Sequence, residues 1–427
     1  CYSKCMDLAR AVLGNPDLLP TTPIRNLFKN DYWGTSLDSN SSHGSYRPLC
    51  VLSYRLNYQL FGFQPWAFHG TNILLHALAT YLVYRTVKTL FLQKNISIST
   101  SLLFAVHPIH TENVAGIVGR ADILSCIFFL LSFLFYLKHG ARNSLLMAVC
   151  STLCKETGIT VLLACIGYEF IHYYQFRKLL PSIKSLVFVL ASLGLLFLCR
   201  LHLMSYRLPT FATADNPTAK ESRLLVRLLT FLYLPIFNLK LLLLPNNLSF
   251  DWSMDAIPRI KTLFDVRNLY TAAFYTALAM IVRKATNSLR KSDVVLTVLV
   301  FLVCPFLPSS NLLFYVGFVL AERVLYIPSL GFCLAVAYGF HVLSSRTNRR
   351  KASFCFVALL VVLSARTVHR NRDWFDEEAL YSSGVSINPP KGEAPKLHFK
   401  FFRHFYTPPP PAVLYWYSLY QTFFDSD

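Results

Sequence analysis

The stretch FAVHPIHTENVAGIVGRADILSCIFFLLSFLFYL, residues 104–137, places ionisable side chains directly before a long apolar run. Residues 104–122 contain two histidines and three charged residues, and the residues after position 122 are almost entirely apolar. A charge at the centre of a bilayer is costly, so such residues line a water-accessible cavity or the end of a helix. The stretch therefore predicts a polar loop, residues 107–121, followed by a membrane-spanning helix.

The composition of the whole chain indicates a membrane protein. Of its 427 residues, 54% are hydrophobic and only 15% are charged, whereas about a quarter are charged in a typical soluble domain. The formal net charge is +19, but the basic residues form short clusters between apolar runs, where they set membrane orientation. We therefore predict an all-α polytopic membrane protein that binds no nucleic acid.

Ten apolar runs predict ten membrane crossings. They lie near 70–92, 98–107, 122–137, 144–155, 157–173, 184–203, 269–283, 294–308, 324–343 and 352–368. An eleventh run, 227–245, would place the basic cluster at 283–291 on the wrong side of the membrane if it crossed. We therefore expect that run to lie in the interface, or to dip into the membrane without crossing it.

The charge rule places the loop 107–121 and the loop 246–268 on the lumenal side, together with residues 1–65. Two glycosylation sequons, at Asn40 and Asn247, fall in these loops, whereas the sequon at Asn95 falls in a predicted cytoplasmic loop. A first lumenal loop requires a preceding membrane helix, so we expect one upstream of residue 1.

The loop 107–121 contains a spacing that resembles a metal site. His107, His110 and Glu112 form an HxxHxE pattern, but this pattern lacks the helical HExxH register and Pro108 interrupts a regular helix start. We expect no metal, and expect these three side chains to hydrogen-bond the loop backbone and hold its shape. Arg47, in SYRPL, is expected to support the first loop in the same way.

Other charged residues are candidates for contact with a lipid phosphate. Arg120 would bind phosphate bidentately, with the carboxylate of Asp122 fixing its orientation; the alternative is an intramembrane salt bridge without a ligand. Lys155 and Glu156 interrupt an apolar run, and either contact the same ligand or form a mutual salt bridge. Arg323 is a further candidate, with an interface anchor as the alternative.

Six stretches, in consistent order between about residues 9 and 390, resemble one family. They are NDYWGTSLDSNSSHGSYRPLCVLSYRLNYQLFGFQPWAFHGTNILLHA, HPIHTENVAGIVGRAD, CKETGIT, DNPTAKESRLLVR, LSFDWSMDAIPRIKT and SSNLLFYVGFVLAERVLYIPSLGF. The combination is similar to the transmembrane O-mannosyltransferases that target cadherins.

The resemblance implies a GT-C glycosyltransferase-like helical bundle with lumenal loops in the endoplasmic reticulum membrane. The implied reaction moves mannose from the donor substrate dolichyl phosphate mannose to serine or threonine of cadherin-type domains, with no cofactor. The family carries an Asp-Asp pair in its first lumenal loop, and the matching positions here read Asp7-Leu8. Asp7 is therefore the candidate catalytic base, and Asp17 is the next acid in the loop.

The same reading divides the chain into regions: 1–65, a first lumenal loop whose upstream span is missing; 66–204, membrane helices; 205–268, a lumenal and interfacial region; 269–368, further membrane helices; 369–390, the start of a lumenal tetratricopeptide repeat region; and 391–427, a divergent tail. Two other functions remain open. One is a catalytically inactive membrane protein that binds lipid or partners, and the other is a transporter.

Overall fold

A computed structural model describes residues 9–388 except 40, 177–182, 205–210, 214, 254–255 and 288–292. Asp7, the sequon residue Asn40 and the predicted tail 391–427 lie outside the described residues. The secondary structure of the described part is helical, with one isolated bridge between Asn30 and Ser36. The predicted all-α class is confirmed.

The α-helices are numbered along the chain. Those of the first half are α1 (Pro48–Phe61), α2 (Pro65–Phe91), α3 (Lys94–Val106), α4 (Thr111–Ala115), α5 (Arg120–His139), α6 (Ala141–Cys154) and α7 (Thr160–Phe176). Those of the second half are α8 (Ile183–Leu203), α9 (Leu224–Leu243), α10 (Val266–Asn287), α11 (Asp293–Val303), α12 (Ser329–Arg346), α13 (Arg349–Asp373) and α14 (Glu377–Ile387). Short 3-10 helices occupy several connections, among them Pro108–His110, Ile117–Gly119, Glu156–Ile159 and Glu322–Leu325.

Local sequence explains where several helices begin. Pro48 and Pro65 occupy the first turns of α1 and α2, where proline loses no hydrogen bond and its fixed φ suits the helix. Asp376 caps α14 by accepting the Ala379 N–H at 2.8 Å, which satisfies one of the unpaired donors of a first turn. Because α1 spans Pro48–Phe61, the predicted first loop 1–65 contains a helix in its second half.

Each of the ten predicted membrane runs overlaps an α-helix, but two of the runs extend five residues beyond their helix. The run 294–308 ends as a helix at Val303, because Pro305 has no N–H to donate to a further turn. The run 324–343 begins as α12 only at Ser329, because Glu322–Leu325 forms a separate 3-10 turn before it.

Within the described part of the chain, four helical segments are long and apolar enough to cross a membrane: Ile117–His139, Ile183–Leu203, Leu224–Leu243 and Arg349–Asp373. They support a polytopic membrane protein. The larger number of crossings inferred from charge remains a prediction.

Helix α9 was expected to lie in the interface, although its length and composition also suit a crossing. A 20-residue helix is about 30 Å long. If α9 crossed the membrane, loops on one side could therefore contact only one of its ends. Instead, the Phe231 ring packs against Tyr315 and the Phe237 ring against Trp252, while the Leu242 carbonyl contacts His107. Both halves of α9 also share one buried apolar cluster with the loops 107–110, 244–262 and 319–325. These contacts favour the interfacial placement, which remains a prediction.

Helices α11 and α12 approach each other at a glycine. A Cβ atom at Gly331 would lie 2.6 Å from the Leu302 nitrogen and 2.7 Å from the Val298 oxygen. Small residues allow this close backbone approach between membrane helices. Gly339, on the same helix, has no such neighbour within 4 Å.

Gly331→Ala should therefore lower the free energy of unfolding by about 1–3 kcal/mol, the usual cost of forcing extra volume into a packed interface. Gly339→Ala is the matched control and should be neutral or stabilising by up to about 1 kcal/mol. Denaturant unfolding of both variants in detergent measures the difference. Equal effects from the two substitutions would contradict the close approach.

Candidate functional site

The site is organised by a helix break at residues 155–159. Lys155 ends α6 in an extended conformation, with φ −157° and ψ 146°, and Glu156 begins a 3-10 turn. The turn lies close to α6, because a Cβ atom at Gly158 would meet the Ser151 backbone at 2.4 Å. The break gives Lys155 and Glu156 different partners.

Lys155 pairs with Asp122. Its Nζ donates to Asp122 Oδ1 at 2.6 Å, and both side chains are almost completely buried. The ion pair joins the break to the first turn of α5. Asp122 thus pairs with Lys155 and does not orient Arg120, and the alternative of a mutual Lys155–Glu156 salt bridge was wrong. Contact of Asp122 and Lys155 with a donor remains a prediction.

Glu156 is held between two arginines. Arg47 donates from Nε to both carboxylate oxygens at 3.2 Å and from Nη2 to Oε2 at 2.9 Å. Arg200 Nη2 lies 2.9 Å from the other oxygen, Oε1. Burial raises the pKa of Glu156, but the Arg47 and Arg200 guanidiniums lower it by more. The net pKa therefore lies well below its usual range. Glu156 therefore remains charged and bridges the two arginines.

Sequence reasoning missed Arg200. It lies in the last turn of α8, in LCRLHL, where a basic residue following an apolar run is typical of a membrane-interface anchor. Its partner, Glu156, is distant in sequence, so no local spacing signals the contact. Arg47 was expected to support the first loop; its guanidinium lies 5.0 Å from the Tyr32 ring of that loop.

A fourth ion pair joins Glu112 to Arg323. Arg323 donates its backbone N–H to Glu112 Oε2 at 3.1 Å, and its Nη1 lies 3.6 Å from Oε1. Burial raises the pKa of Glu112 more than Arg323 lowers it. The pair connects the loop 107–119 to the 3-10 turn before α12.

These four ion pairs lie close together, and we call their seven residues the charged cluster: Arg47, Glu112, Asp122, Lys155, Glu156, Arg200 and Arg323. The charges of Asp122, Arg47 and Arg323 all act on Lys155. Four cations and three carboxylates leave one excess positive charge. The side chains of Arg47 and Arg200 are 19% exposed and that of Glu156 is 26% exposed. A cluster of this kind can bind one anionic group.

Arg120 makes its contacts elsewhere. The residue is 0% exposed, and its guanidinium donates to polar groups of α1 and α2: Asn72 Oδ1, Asn57 Oδ1, the Ser53 carbonyl and the Phe68 carbonyl. It also lies over the Tyr54 ring at 4.7 Å. Every guanidinium nitrogen therefore has a partner within the chain. These contacts favour a structural role, and contact of Arg120 with a donor remains a prediction.

The two histidines bind neighbouring elements. His107 Nε2 donates to the Leu242 carbonyl at 3.0 Å, and its Nδ1 accepts the Ile109 N–H at 3.2 Å. Burial lowers the pKa of His107 to about 4, so the ring is neutral near pH 7. His110 Nε2 lies 2.8 Å from Ser329 Oγ. These are contacts that a loop-shaping role requires, and that role remains a prediction.

Among the described residues, no group of three or more histidine, cysteine, aspartate or glutamate side chains could hold a metal ion.

Asp7 lies outside the described residues. Asp17, the next acid in the first loop, is 1% exposed, and both of its carboxylate oxygens accept from Asn30 Nδ2 at 3.0 Å. Burial raises the pKa of Asp17, although the Asn30 hydrogen bond opposes the shift. These contacts favour a structural role in the loop, and a catalytic role for Asp17 remains a prediction.

Two family models match the chain. Dolichyl-phosphate-mannose-protein mannosyltransferase matches residues 46–204, and Protein O-mannosyl-transferase TMTC, DUF1736 matches residues 205–279. The first of these regions contains every member of the charged cluster except Arg323. No solved structure matches the chain.

Several curated proteins are similar over most of this chain. Protein O-mannosyl-transferase TMTC2 of Homo sapiens is 41% identical over 91% of this chain and 56% of its own length. Protein O-mannosyl-transferase Tmtc1 of Drosophila melanogaster is 40% identical over 90% of this chain and 55% of its own. For Protein O-mannosyl-transferase TMTC3 of Homo sapiens the values are 42%, 90% and 45%. The chain thus spans about half the length of these relatives.

Arg120→Gln should lower the free energy of unfolding by at least about 2 kcal/mol, because each buried acceptor left unpaired costs about 1–3 kcal/mol. Arg85→Gln, at an exposed position on α2, is the control and should change stability by less than about 0.5 kcal/mol. Denaturant unfolding in detergent checks both values. Unchanged stability of Arg120→Gln, together with weakened binding of a lipid phosphate, would return Arg120 to the ligand site.

Proposed function

This chain belongs to the TMTC family of protein O-mannosyl-transferases, and we propose that it transfers mannose from dolichyl phosphate mannose to serine or threonine of a protein acceptor. We further propose that the acceptor is a cadherin-type domain, and that the reaction takes place on the lumenal side of the endoplasmic reticulum membrane. The matched family models and relatives support the reaction class. The acceptor and the compartment follow from the sequence resemblance and the predicted topology.

The charged cluster is the observation that carries this proposal. A lipid-linked sugar donor has a phosphate between an apolar chain and the sugar, so its site must combine positive charge with a position at the end of membrane helices. Arg47 and Arg200 are both partly exposed and converge on one carboxylate from different segments. Two guanidiniums placed in this way suit the oxygens of a phosphate.

The proposed reaction is an inverting transfer. The acceptor hydroxyl oxygen attacks the anomeric carbon, the bond between that carbon and the phosphate oxygen breaks, and lipid phosphate leaves. A carboxylate takes the hydroxyl proton, and Asp7 is the residue we propose for it. Arg47 and Arg200 stabilise the charge that develops on the departing phosphate.

The chain's own residues also prepare the phosphate site. The buried Asp122–Lys155 pair fixes the helix break next to Glu156. The Glu112–Arg323 contact holds the turn before α12 against the loop 107–119. Arg47 and Arg200 are themselves held by Glu156, so the two arginines lose little freedom when they bind an anion.

The test uses the protein in proteoliposomes with dolichyl phosphate mannose and a purified cadherin domain. Asp7→Asn should lower mannose transfer by about a hundredfold or more, the usual contribution of a general base, while donor binding is unchanged. Arg47→Gln and Arg200→Gln should weaken donor binding by at least about tenfold, because a hydrogen bond to a charged group contributes about 1.5–3 kcal/mol.

Arg223→Gln is the control, since Arg223 is exposed and pairs with Glu221 outside the charged cluster. Donor binding without transfer by the unmodified protein would favour the inactive lipid-binding alternative. Full transfer by Asp7→Asn would place the base elsewhere. Unchanged donor binding by both arginine variants would remove the phosphate from the charged cluster.

A further inference from the structure

The loop between α11 and α12 turns sharply at Asn311. Asn311 has a left-handed backbone conformation, with φ 60°, which asparagine tolerates better than most residues. Its side chain closes the loop: Oδ1 accepts the Val316 N–H at 3.1 Å, and Nδ2 donates to the Phe318 carbonyl at 3.1 Å. The segment 312–315 is therefore the tip of a closed turn.

A second buried asparagine fixes the same turn from outside. Asn216 Nδ2 donates to Asn311 Oδ1 at 3.0 Å and to the Val316 carbonyl at 2.9 Å. Both asparagines are 2% exposed. Hydrogen bonds from two separate segments hold this backbone, so little further ordering of the backbone is needed on binding.

The fixed tip carries four consecutive large apolar residues that face outward. Leu312, Leu313, Phe314 and Tyr315 are 41%, 68%, 55% and 45% exposed. Their helical neighbour α9 is also apolar on its outer side, with Leu224, Leu225 and Leu228 about half exposed. The Phe231 ring of α9 packs against Tyr315 with centroids 5.4 Å apart. The tip and the first turns of α9 therefore expose apolar side chains on both sides of this contact.

The basic side chain of Arg227 lies at this contact. The Arg227 guanidinium lies over the Tyr315 ring at 5.6 Å. Its Nε is buried without a hydrogen-bond partner among the described residues, and no ion pair within the same residues includes it. A buried donor without an acceptor is costly. The Arg227 residue as a whole is partly exposed, so a small shift of its side chain would let the guanidinium meet an external acceptor beside the apolar surface.

We propose that the tip Leu312–Tyr315 and Arg227 form a binding site for a bilayer phospholipid. The apolar tip enters the acyl-chain region, and Arg227 donates to the lipid phosphate. A phospholipid offers a partner to both features, because its apolar acyl chains and its anionic phosphate adjoin each other at the membrane interface. The site is also continuous with α9, whose apolar length suits contact with the membrane. This proposal is independent of the transfer reaction.

The tip is tested by photo-crosslinking of the protein in phosphatidylcholine vesicles. Benzoylphenylalanine at position 314 should form adducts with phosphatidylcholine, detected by mass spectrometry. Asp38, an exposed residue of the first loop, is the control position and should give at least tenfold fewer lipid adducts. Equal yields at positions 314 and 38, or adducts at 314 with a protein chain alone, would overturn insertion of the tip.

The phosphate contact is tested with Arg227→Gln in vesicles of equal parts phosphatidylcholine and phosphatidylserine. With benzoylphenylalanine at position 314, this variant should form about fivefold fewer phospholipid adducts than the protein with Arg227 intact. The reason is that one basic residue near a lipid surface contributes about 1 kcal/mol to lipid binding. Arg223→Gln, one turn earlier and already paired with Glu221, should change the yield by less than twofold. Equal loss in both variants would overturn a specific role for Arg227. Adducts only with added dolichyl phosphate would assign the tip to the donor instead.

Discussion

The cost of burying a charge is the constraint on which this arrangement depends. Asp122 and Lys155 are almost completely buried where helices end, and an unpaired charge in such a place would cost several kcal/mol. Each buried charge therefore needs a partner, and the partners come from distant segments. The Arg47–Glu156 contact joins residues 109 positions apart, and the Glu112–Arg323 contact joins residues 211 apart. The ion pairs thus fix the loops relative to the helices.

The network around Arg120 has the same effect between the first helices. Asn57 and Asn72 supply side-chain acceptors from α1 and α2 to a guanidinium on α5. A fully buried arginine needs all of these acceptors, so the three helices must meet at its position. The charged cluster then lies at helix ends that two separate polar networks hold in place.

Much of the fold was predictable from the sequence. The apolar runs predicted the helices, since burial or contact with lipid imposes apolar composition along a whole helix. The residues flagged in HPIHTE, GRAD and CKETG do make polar contacts within the described structure. Arg47, Glu112, Asp122, Lys155, Glu156 and Arg323 were all identified from sequence.

The pairing of these residues could not be predicted, because the true partners are distant in sequence. The prediction had paired sequence neighbours. On a helix, side chains one or two positions apart do not face each other, so Arg120 and Asp122 contact different groups. At the break, the extended backbone of Lys155 separates it from Glu156. Arg200 gave no local signal at all.

The most direct measurement of the account is a double-mutant cycle on Asp122→Asn and Lys155→Gln, using the free energy of unfolding in detergent. Mutual pairing predicts that the double variant costs at least about 1 kcal/mol less than the sum of the single variants. Additive costs would contradict the claim that paired buried charges hold the site together.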